Sequence, residues 1–113
     1  MAQTNDTLGD VLTRLFQTIE ARRGDSAEKS YTASLLAGGN ARCAKKFGEE
    51  AVEAAIAGAM GDKPALTAEA ADVLYHLMVL MASAGVAPED VAEALAAREG
   101  QSGHTEKAAR KDG

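Results

Sequence analysis

Two short acidic clusters are the residues in this sequence best suited to chemistry. The first has the spacing E-E-x-x-E, and the second, fifteen residues later, has the spacing E-x-x-D. Their acidic members are Glu49, Glu50, Glu53, Glu69 and Asp72. Residues three or four apart share one face of a helix, so the carboxylates within each cluster are neighbours if both segments are helical. Gathered carboxylates repel one another, and a hard divalent cation such as Mg²⁺ or Mn²⁺, which prefers oxygen ligands, removes that repulsion.

The segment between the clusters decides whether they can meet. It is long enough to finish one helix, turn at the Gly-Asp-Lys-Pro stretch of residues 61–64, and start a second helix in the opposite direction. The alternative is that the acids are only the solvated faces of two surface helices, and for the first cluster both interpretations stand. Glu69 and Asp72 favour a metal site, because their helix has little polar surface to which they could belong.

The hydrophobic periodicity predicts an all-α bundle of four to five helices in a single domain, residues 1–113. The predicted helices span about 7–21, 33–37, 40–60, 67–84 and 89–97, with a loosely held tail over about 100–113. A glycine pair at 38–39 separates the second helix from the third, and Asn40 and Thr67 are the predicted caps of the third and fourth. In the third helix Val52 marks the centre of the apolar stripe, and the acids occupy an adjoining arc.

The fourth predicted helix is apolar nearly all round, which indicates a buried central helix. Its only polar side chains between Ala70 and Ala82 are Asp72, Tyr75 and His76. His76 shares a face with Asp72, but a lone histidine there is more often a hydrogen-bonded core residue than a ligand. Because this helix has more apolar surface than one partner layer covers, we expect the bundle to be completed by dimerisation, as a homodimer or a higher multiple.

Composition narrows the class of protein. The chain has 46% hydrophobic residues but only 4% aromatic residues and no Trp, a composition typical of helix bundles. A net charge of −5 argues against broad nucleic-acid binding. The lone Cys43 fits a reducing cytosol, the first six residues are polar, and the longest apolar run, residues 77–82, is too short to span a bilayer. We therefore expect a cytoplasmic protein with no nucleic-acid or membrane partner.

Two lysines, Lys45 and Lys46, lie one helical turn before the first acidic cluster. They could form ordinary i,i+4 ion pairs with Glu49 and Glu50, or they could lie at the rim of a metal site and reach a phosphate; both interpretations remain open. The chain has no G-x-x-x-x-G-K-[ST] and no G-x-G-x-x-G motif. No Ser–His–Asp order suggests a covalent nucleophile, so direct attack by water is favoured.

The two acidic spacings together resemble the all-α nucleotide pyrophosphohydrolases of the MazG-like superfamily. A narrower resemblance, to the phosphoribosyl-ATP pyrophosphatase family of histidine biosynthesis, covers most of the chain. It rests on Ser30-Tyr31-Thr32, on Lys45-Lys46 before Gly48, and on Leu74-Tyr75-His76. The sequence departs from the family at Arg42, where lysine is more usual, but the positive charge is kept.

This resemblance implies a Mg²⁺-dependent hydrolase, with Mn²⁺ as an alternative ion. Its substrate would be a small nucleotide, phosphoribosyl-ATP, cleaved at the α–β phosphoanhydride to phosphoribosyl-AMP and pyrophosphate. The metal ligands implied are Glu50, Glu53, Glu69 and Asp72, and Glu49 would be a further ligand or would orient the attacking water. Phosphate contacts would come from Lys45, Lys46 and Arg42. Tyr31 and His76, which belong to the narrower resemblance, are further candidate substrate-binding residues.

Two other functions are compatible with the sequence. One is a house-cleaning pyrophosphatase for ordinary or damaged nucleoside triphosphates, built on the same metal site. The other is a non-enzymatic helical dimerisation module whose acids are surface decoration. A ferritin-like di-iron site is disfavoured, because neither cluster has the E-x-x-H spacing that such sites use.

Overall fold

The computed structural model describes residues 5–100, and that part of the chain forms five α-helices. They are α1 (Leu8–Ala21), α2 (Tyr31–Ala37), α3 (Gly39–Ala59), α4 (Lys63–Ala84) and α5 (Pro88–Ala96). No strand occurs among the described residues, so the predicted all-α fold is confirmed. The predicted tail at about 100–113 falls almost wholly outside them.

Side-chain caps fix the starts of the first two helices. The Thr7 hydroxyl accepts a hydrogen bond from the Asp10 N–H, and the Asp10 carboxylate accepts one from the Thr7 N–H, each at 3.1 Å. This reciprocal pair satisfies two backbone donors that the helix leaves unpaired. Ser30 caps α2 by accepting from the Ala33 N–H, so α2 begins two residues earlier than the sequence pattern predicts.

The predicted caps of the next two helices are wrong. No side chain caps α3, and Asn40 lies inside it, where its side-chain oxygen accepts a hydrogen bond from the Ser83 hydroxyl of α4. Helix α4 is capped by Asp62, which accepts from the Ala65 N–H at 3.0 Å. It therefore begins four residues before Thr67, because Asp62 is a strong cap and a proline in the first turn lacks only an N–H that would be unpaired anyway.

Helix α4 is the central helix, and α1, α2 and α3 all pack against it. The core between them consists of seven buried residues, Ile19, Leu35, Cys43, Met78, Val79, Met81 and Ala82. Among the described helices α4 alone is long and apolar enough to cross a membrane by length and composition. A single helix of this kind is weak evidence for a membrane span, and four residues of α4 belong to the core, so the helix does not indicate a membrane protein.

The predicted apolar stripe of α3 does not face this core. Val52 is 60% exposed and Ile56 is 55% exposed, whereas the buried residues of α3 are Cys43 and Ala57. The helix turns a small-residue face towards α4, because close packing of two long helices favours small side chains between them. Val52 and Ile56 are left on the outer surface of the single chain.

Candidate metal centre

The α3–α4 hairpin sets the register of the acidic residues. Only three residues separate the two helices, and Gly61 among them has the left-handed φ of +70° that a sharp reversal after a helix requires. Glu50 and Glu53 precede this turn by nearly the same distances as those by which Asp72 and Glu69 follow it. At 1.5 Å per residue the inner pair lies about 12 Å from the turn and the outer pair about 16 Å. Antiparallel packing therefore brings the two clusters to the same level.

Three of these carboxylates come close enough to share one ion. One oxygen from each of Glu50, Glu69 and Asp72 lies within 4.8 Å of the other two. Glu50 and Glu69 are half buried and Asp72 is exposed, so the cluster is open to solvent on one side. A cation bound there would be held by the protein on one side and could contact water or substrate on the other.

Glu69 is the member of the cluster whose carboxylate has the least favourable environment. Its Oε2 atom is shielded from solvent and has no hydrogen-bond partner in the described structure. The pKa of Glu69 is raised, first because the carboxyl group is removed from water. The next causes are the hydrogen bond and the negative charge of Glu53, followed by repulsion from Glu50 and Asp72. A buried acceptor without a donor costs free energy, and a cation beside it would remove that cost.

Glu53 is adjacent to the three-carboxylate cluster. It lies within hydrogen-bonding reach of Glu69, but its oxygen does not fall within the common 4.8 Å of the other three acids. The side chain of Glu53 is exposed, so a change of rotamer is enough to turn it towards the cluster. The structure thus brings together three of the four predicted ligands and places the fourth beside them.

Glu49 forms an ion pair outside the cluster. Its Oε1 lies 3.2 Å from the Lys46 ammonium, one helical turn earlier on α3. The pKa of Lys46 is raised, chiefly by its hydrogen bond to Glu49 and by the charge of Glu49, with a smaller contribution from Tyr31. The i,i+4 pairs suggested by the sequence are replaced by this i,i+3 pair, and Glu49 is not part of the cluster.

The other predicted phosphate-binding residues lie on the exposed side of α3. Lys45 and Arg42 are both exposed. The aliphatic part of Arg42 passes so close to Gly38 that a Cβ atom at position 38 would overlap it. A glycine at this position therefore leaves room for the Arg42 side chain to fold back over the junction of α2 and α3.

A polar and aromatic network joins α2 to α4 next to the acids. The Tyr31 hydroxyl lies 3.2 Å from His76 Nε2, and the Thr32 hydroxyl is hydrogen-bonded to the Tyr75 hydroxyl. The rings of Tyr31 and Tyr75 are stacked with their centroids 6.3 Å apart. His76 is 6% exposed, and its Nδ1 atom donates to the backbone carbonyl of Asp72 at 2.8 Å.

The sequence identified this network only in part. It marked His76 as a residue whose core or ligand role was open, and the structure places the ring in the core with both nitrogens hydrogen-bonded. It gave no role to the pairing of Thr32 with Tyr75. The one sequence feature that could have indicated this pairing is that both residues lie in the segments that carry the narrower family resemblance.

The residues present fit a hard divalent cation. Carboxylate oxygens from two rigid helices converge, one of them is buried without a partner, and no thiol or imidazole takes part in the cluster. Such an all-oxygen set suits Mg²⁺ or Mn²⁺ rather than a softer metal. An ion bound by acids on one side, with cationic Lys46 nearby, is an arrangement suited to holding a phosphate ester or anhydride.

Fold and site together define a class: an all-α protein whose central helical hairpin carries a carboxylate cluster suited to metal-assisted chemistry on phosphates. A family model described as phosphoribosyl-ATP pyrophosphohydrolase matches residues 12–99. The chain therefore belongs to the phosphoribosyl-ATP pyrophosphohydrolase family, and the resemblance noted from its sequence is confirmed.

Individual relatives agree with the family assignment. Proteins named phosphoribosyl-ATP pyrophosphatase from Azospirillum brasilense and Ruegeria pomeroyi are 56% and 53% identical to this chain. The first alignment covers 89% of this chain and 91% of the relative, and the second covers 91% and 98%. A protein of the same name from Parvibaculum lavamentivorans is 56% identical over 88% of this chain and 91% of its own length. Since the family is one of hydrolases, the alternative of a non-enzymatic helical module is set aside.

Proposed function

We propose that this protein hydrolyses the α–β phosphoanhydride of phosphoribosyl-ATP and releases phosphoribosyl-AMP and pyrophosphate, the second step of histidine biosynthesis. The observation that carries the proposal is that carboxylate oxygens of Glu50, Glu69 and Asp72 converge. One oxygen of Glu69 is buried there without a hydrogen-bond partner. Membership of the family supplies the substrate.

The proposed metal ligands are Glu50, Glu69 and Asp72, with Glu53 joining them from its neighbouring position. When bound, Mg²⁺ (or Mn²⁺) would neutralise charge on the phosphate oxygens and lower the pKa of a coordinated water. The four acids would hold this ion at a fixed place on the α3–α4 hairpin. Because both helices are long and pack along each other, this placement costs little conformational entropy at the moment of reaction.

The basic residues of α3 would balance the negative charge of the substrate's phosphates. Lys46, and from more exposed positions Lys45 and Arg42, would neutralise phosphate oxygens that the acids alone would repel. In the hydrolysis a water oxygen bonds to one phosphorus atom, the bridging P–O bond to that phosphorus breaks, and the water proton passes to a carboxylate or to solvent. Glu49, which is paired with Lys46, would hold that lysine in position or orient the attacking water.

Incubation with a panel of nucleotides tests the proposal. Phosphoribosyl-ATP, dATP, dCTP and dUTP would each be supplied with Mg²⁺, and pyrophosphate release would be measured against a chelator control. We expect release from phosphoribosyl-ATP to be far faster than from the other three. Comparable rates on dCTP or dUTP would assign the protein to the house-cleaning pyrophosphatases instead.

We further propose that the working unit is a homodimer or a multiple of one. Residues Val52, Ile56 and Met60 recur every four positions on the outer face of α3 and are 60%, 55% and 79% exposed. Leu66, at the start of α4, is 39% exposed and packs beside Gly58. This continuous apolar strip runs along the central hairpin, and a second copy of the same strip is its natural partner in a two-fold interface.

The proposal also carries expectations about location and partners. A biosynthetic enzyme with a single, buried and reduced cysteine is expected in the cytoplasm. Its acidic net charge gives no reason to expect a nucleic-acid partner, and no membrane partner is expected.

A further inference from the structure

The loop between α1 and α2 encloses a cavity that the proposed function does not use. The cavity has a volume of about 700 Å³. It is lined by Arg22, Gly24, Asp25, Ser26, Lys29 and Ser30. No large apolar side chain is among these residues, so the cavity suits a charged or polar ligand better than an apolar one.

Backbone hydrogen bonds give this loop its shape. The Asp25 N–H donates to the Arg22 carbonyl at 3.0 Å, and the Ser26 carbonyl accepts from the N–H groups of both Lys29 and Ser30 at 3.1 Å. The loop therefore consists of two consecutive turns and ends where Ser30 caps α2. Because the backbone closes these turns, exchanging the charged side chains should leave the cavity in place.

The charged side chains make the cavity attractive to an anion. Arg22 and Lys29 contribute two positive charges, and Asp25 contributes one negative charge. The Asp25 carboxylate lies 3.7 Å from the Arg22 guanidinium, and both side chains are about half exposed, so this ion pair is weak and leaves most guanidinium donors for another acceptor. Within residues 5–100, Lys29 forms no ion pair.

The two serine hydroxyl groups add hydrogen-bond donors. Ser30 Oγ accepts from the Ala33 N–H at 3.1 Å, and Ser26 Oγ accepts from the Glu28 N–H at 3.3 Å. Each hydroxyl group is thus used as an acceptor and keeps its own proton to donate. A phosphate monoester is mainly a dianion at neutral pH, and its terminal oxygens are strong acceptors. Two cations and two hydroxyl donors match that group.

The cavity adjoins the segment that connects α2 to the acidic cluster. The two residues after Ser30 are Tyr31 and Thr32, and the side chain of each is hydrogen-bonded to a side chain of α4. Their partners on α4 follow Asp72 by four and three residues, which is about one helical turn. The first turn of α2 therefore links the loop cavity to the part of α4 that carries the cluster.

We propose that the α1–α2 loop cavity is a second phosphate site, in which Arg22 and Lys29 bind the phosphate monoester of the substrate's phosphoribosyl group. This inference rests on the proposed function, which supplies a nucleotide that carries a monoester as well as a triphosphate. The cluster and the basic residues of α3 would hold the triphosphate, and the loop would hold the monoester. An ordinary nucleoside triphosphate lacks the second group, so the loop would discriminate between the two classes of substrate.

The loop site can be tested without metal or turnover. Ribose 5-phosphate would be titrated into the ¹⁵N-labelled protein in the presence of a chelator, with ribose as the control that lacks the phosphate. We expect the amide signals of Gly24 and Ser26 to shift with ribose 5-phosphate alone, and Lys29→Gln to lose most of this response. No shift at millimolar concentration, or shifts confined to Lys45 and Lys46, would overturn the assignment.

The role in the reaction is tested by binding of the two products separately. In calorimetry with Mg²⁺ present, Arg22→Gln and Lys29→Gln should each weaken phosphoribosyl-AMP binding about tenfold and leave pyrophosphate binding within about twofold. Asp25→Asn should strengthen phosphoribosyl-AMP binding several-fold, because it removes a negative charge and the competing partner of Arg22. Equal weakening of both products by the two cation variants, or weaker phosphoribosyl-AMP binding in Asp25→Asn, would contradict the proposal.

A matched control separates this site from a general effect of net charge. Lys63→Gln removes one positive charge from an exposed position at the start of α4, outside the cavity. It should leave the binding of both products unchanged, and weakening equal to that of Lys29→Gln would overturn the assignment. Failure of the wild type to hydrolyse phosphoribosyl-ATP would count against the proposed function, whereas the ribose 5-phosphate titration would still decide whether the loop binds a phosphate monoester.

Discussion

The Lys46 ammonium lies 3.2 Å from a carboxylate oxygen of Glu49, and neither residue is one of the three acids that form the cluster on the same hairpin. Both side chains are partly exposed, at 34% and 47%, so the ion pair adds little to stability. The ion pair instead restrains the Lys46 side chain on α3, close enough to Glu50 for the charge of Glu50 to contribute to the raised pKa of Lys46. Glu49 therefore has different neighbours from Glu50, although the two are adjacent in sequence.

The first prediction compares these two glutamates. Glu50→Gln should lower kcat about 100-fold or more, because it removes a carboxylate from the proposed metal site. Glu49→Gln should mainly raise KM, several-fold, because Lys46 loses its anchor and contacts phosphate less often. Steady-state kinetics on phosphoribosyl-ATP measures both. An equal loss of kcat in the two variants would place Glu49 among the metal ligands.

The second prediction concerns metal-linked stability. Excess Mg²⁺ should raise the melting temperature of the wild type, since a ligand at 100 times its Kd adds about 2.7 kcal/mol to the free energy of unfolding. Asp72→Asn should lose this increase and should be at least as stable as the wild type without metal, because carboxylate repulsion is relieved. The control is Asp62→Asn at the N-cap of the same helix, where asparagine also caps well. Loss of the Mg²⁺ effect in that control would show that the stabilisation does not come from the cluster.

The third prediction is a pH dependence of the metal-free protein. The pKa of Glu69 is raised in the folded state above its ordinary value of 4.5. The folded state therefore binds a proton more tightly than the unfolded state. The stabilisation from that proton is fully present below pH 4.5 and is lost as pH rises through the folded-state pKa.

Chemical denaturation from acidic to neutral pH in the presence of a chelator measures this effect. The free energy of unfolding of the wild type should fall relative to that of Glu69→Gln as pH rises through the window above 4.5. Glutamine has a similar shape and does not titrate, so the difference between the two curves isolates this carboxyl group. A constant difference across the window would contradict the raised pKa.

The sequence predicted the helices well where the signals were local. The start of the first helix and the end of the third, before the glycine at position 61, depend on short-range features, and each lies within one residue of the predicted position. Asn40 failed as a predicted cap because α3 already begins at Gly39 and has no side-chain cap, and Thr67 failed because the stronger cap Asp62 lies five residues earlier. A single residue type at a plausible spacing does not exclude a better cap nearby.

The site was predictable for a different reason. Acids at E-x-x-E and E-x-x-D spacing on two helices must meet if the turn is short, because register in a helical hairpin is set by counting from the turn. The orientation of α3 was not predictable in this way. Val52 and Glu53 are adjacent, and the sequence alone did not show that the small residues of α3, rather than its large apolar ones, would face α4. That choice depends on packing against the whole partner helix.

The fourth prediction concerns the junction of α2 and α3. Gly39 has a φ of +80°, which an L-residue adopts only with strain, so Gly39→Ala should destabilise the protein by about 1 kcal/mol. Gly48 has an ordinary helical conformation inside α3 with no neighbouring atoms in the way. Gly48→Ala should therefore stabilise by roughly 0.5–1 kcal/mol. Urea denaturation should therefore show changes of opposite sign in the free energy of unfolding of the two variants. A stabilised Gly39→Ala variant would contradict the described junction.

The last prediction tests the proposed dimer and which face forms it. Ile56 lies in the middle of the exposed strip on α3, and Leu95 lies in a second apolar region, a groove of about 320 Å³ between α1, α4 and α5. The two side chains are exposed to almost the same extent in the single chain, at 55% and 57%. A lysine at either position should therefore disturb the monomer fold equally little, and any difference must come from association.

A stable dimer needs an interface of roughly 1,000 Å² or more in total, and a charge at its centre is costly to bury. We expect Ile56→Lys to be monomeric and Leu95→Lys to remain dimeric at low micromolar concentration, as measured by light scattering. Circular dichroism should show the same helix content in both variants. A wild type with the mass of one chain and full activity would eliminate the dimer as a requirement. Dissociation by Leu95→Lys alone would move the interface from α3 to the groove beside α5, because only a residue buried between subunits can make the added charge costly.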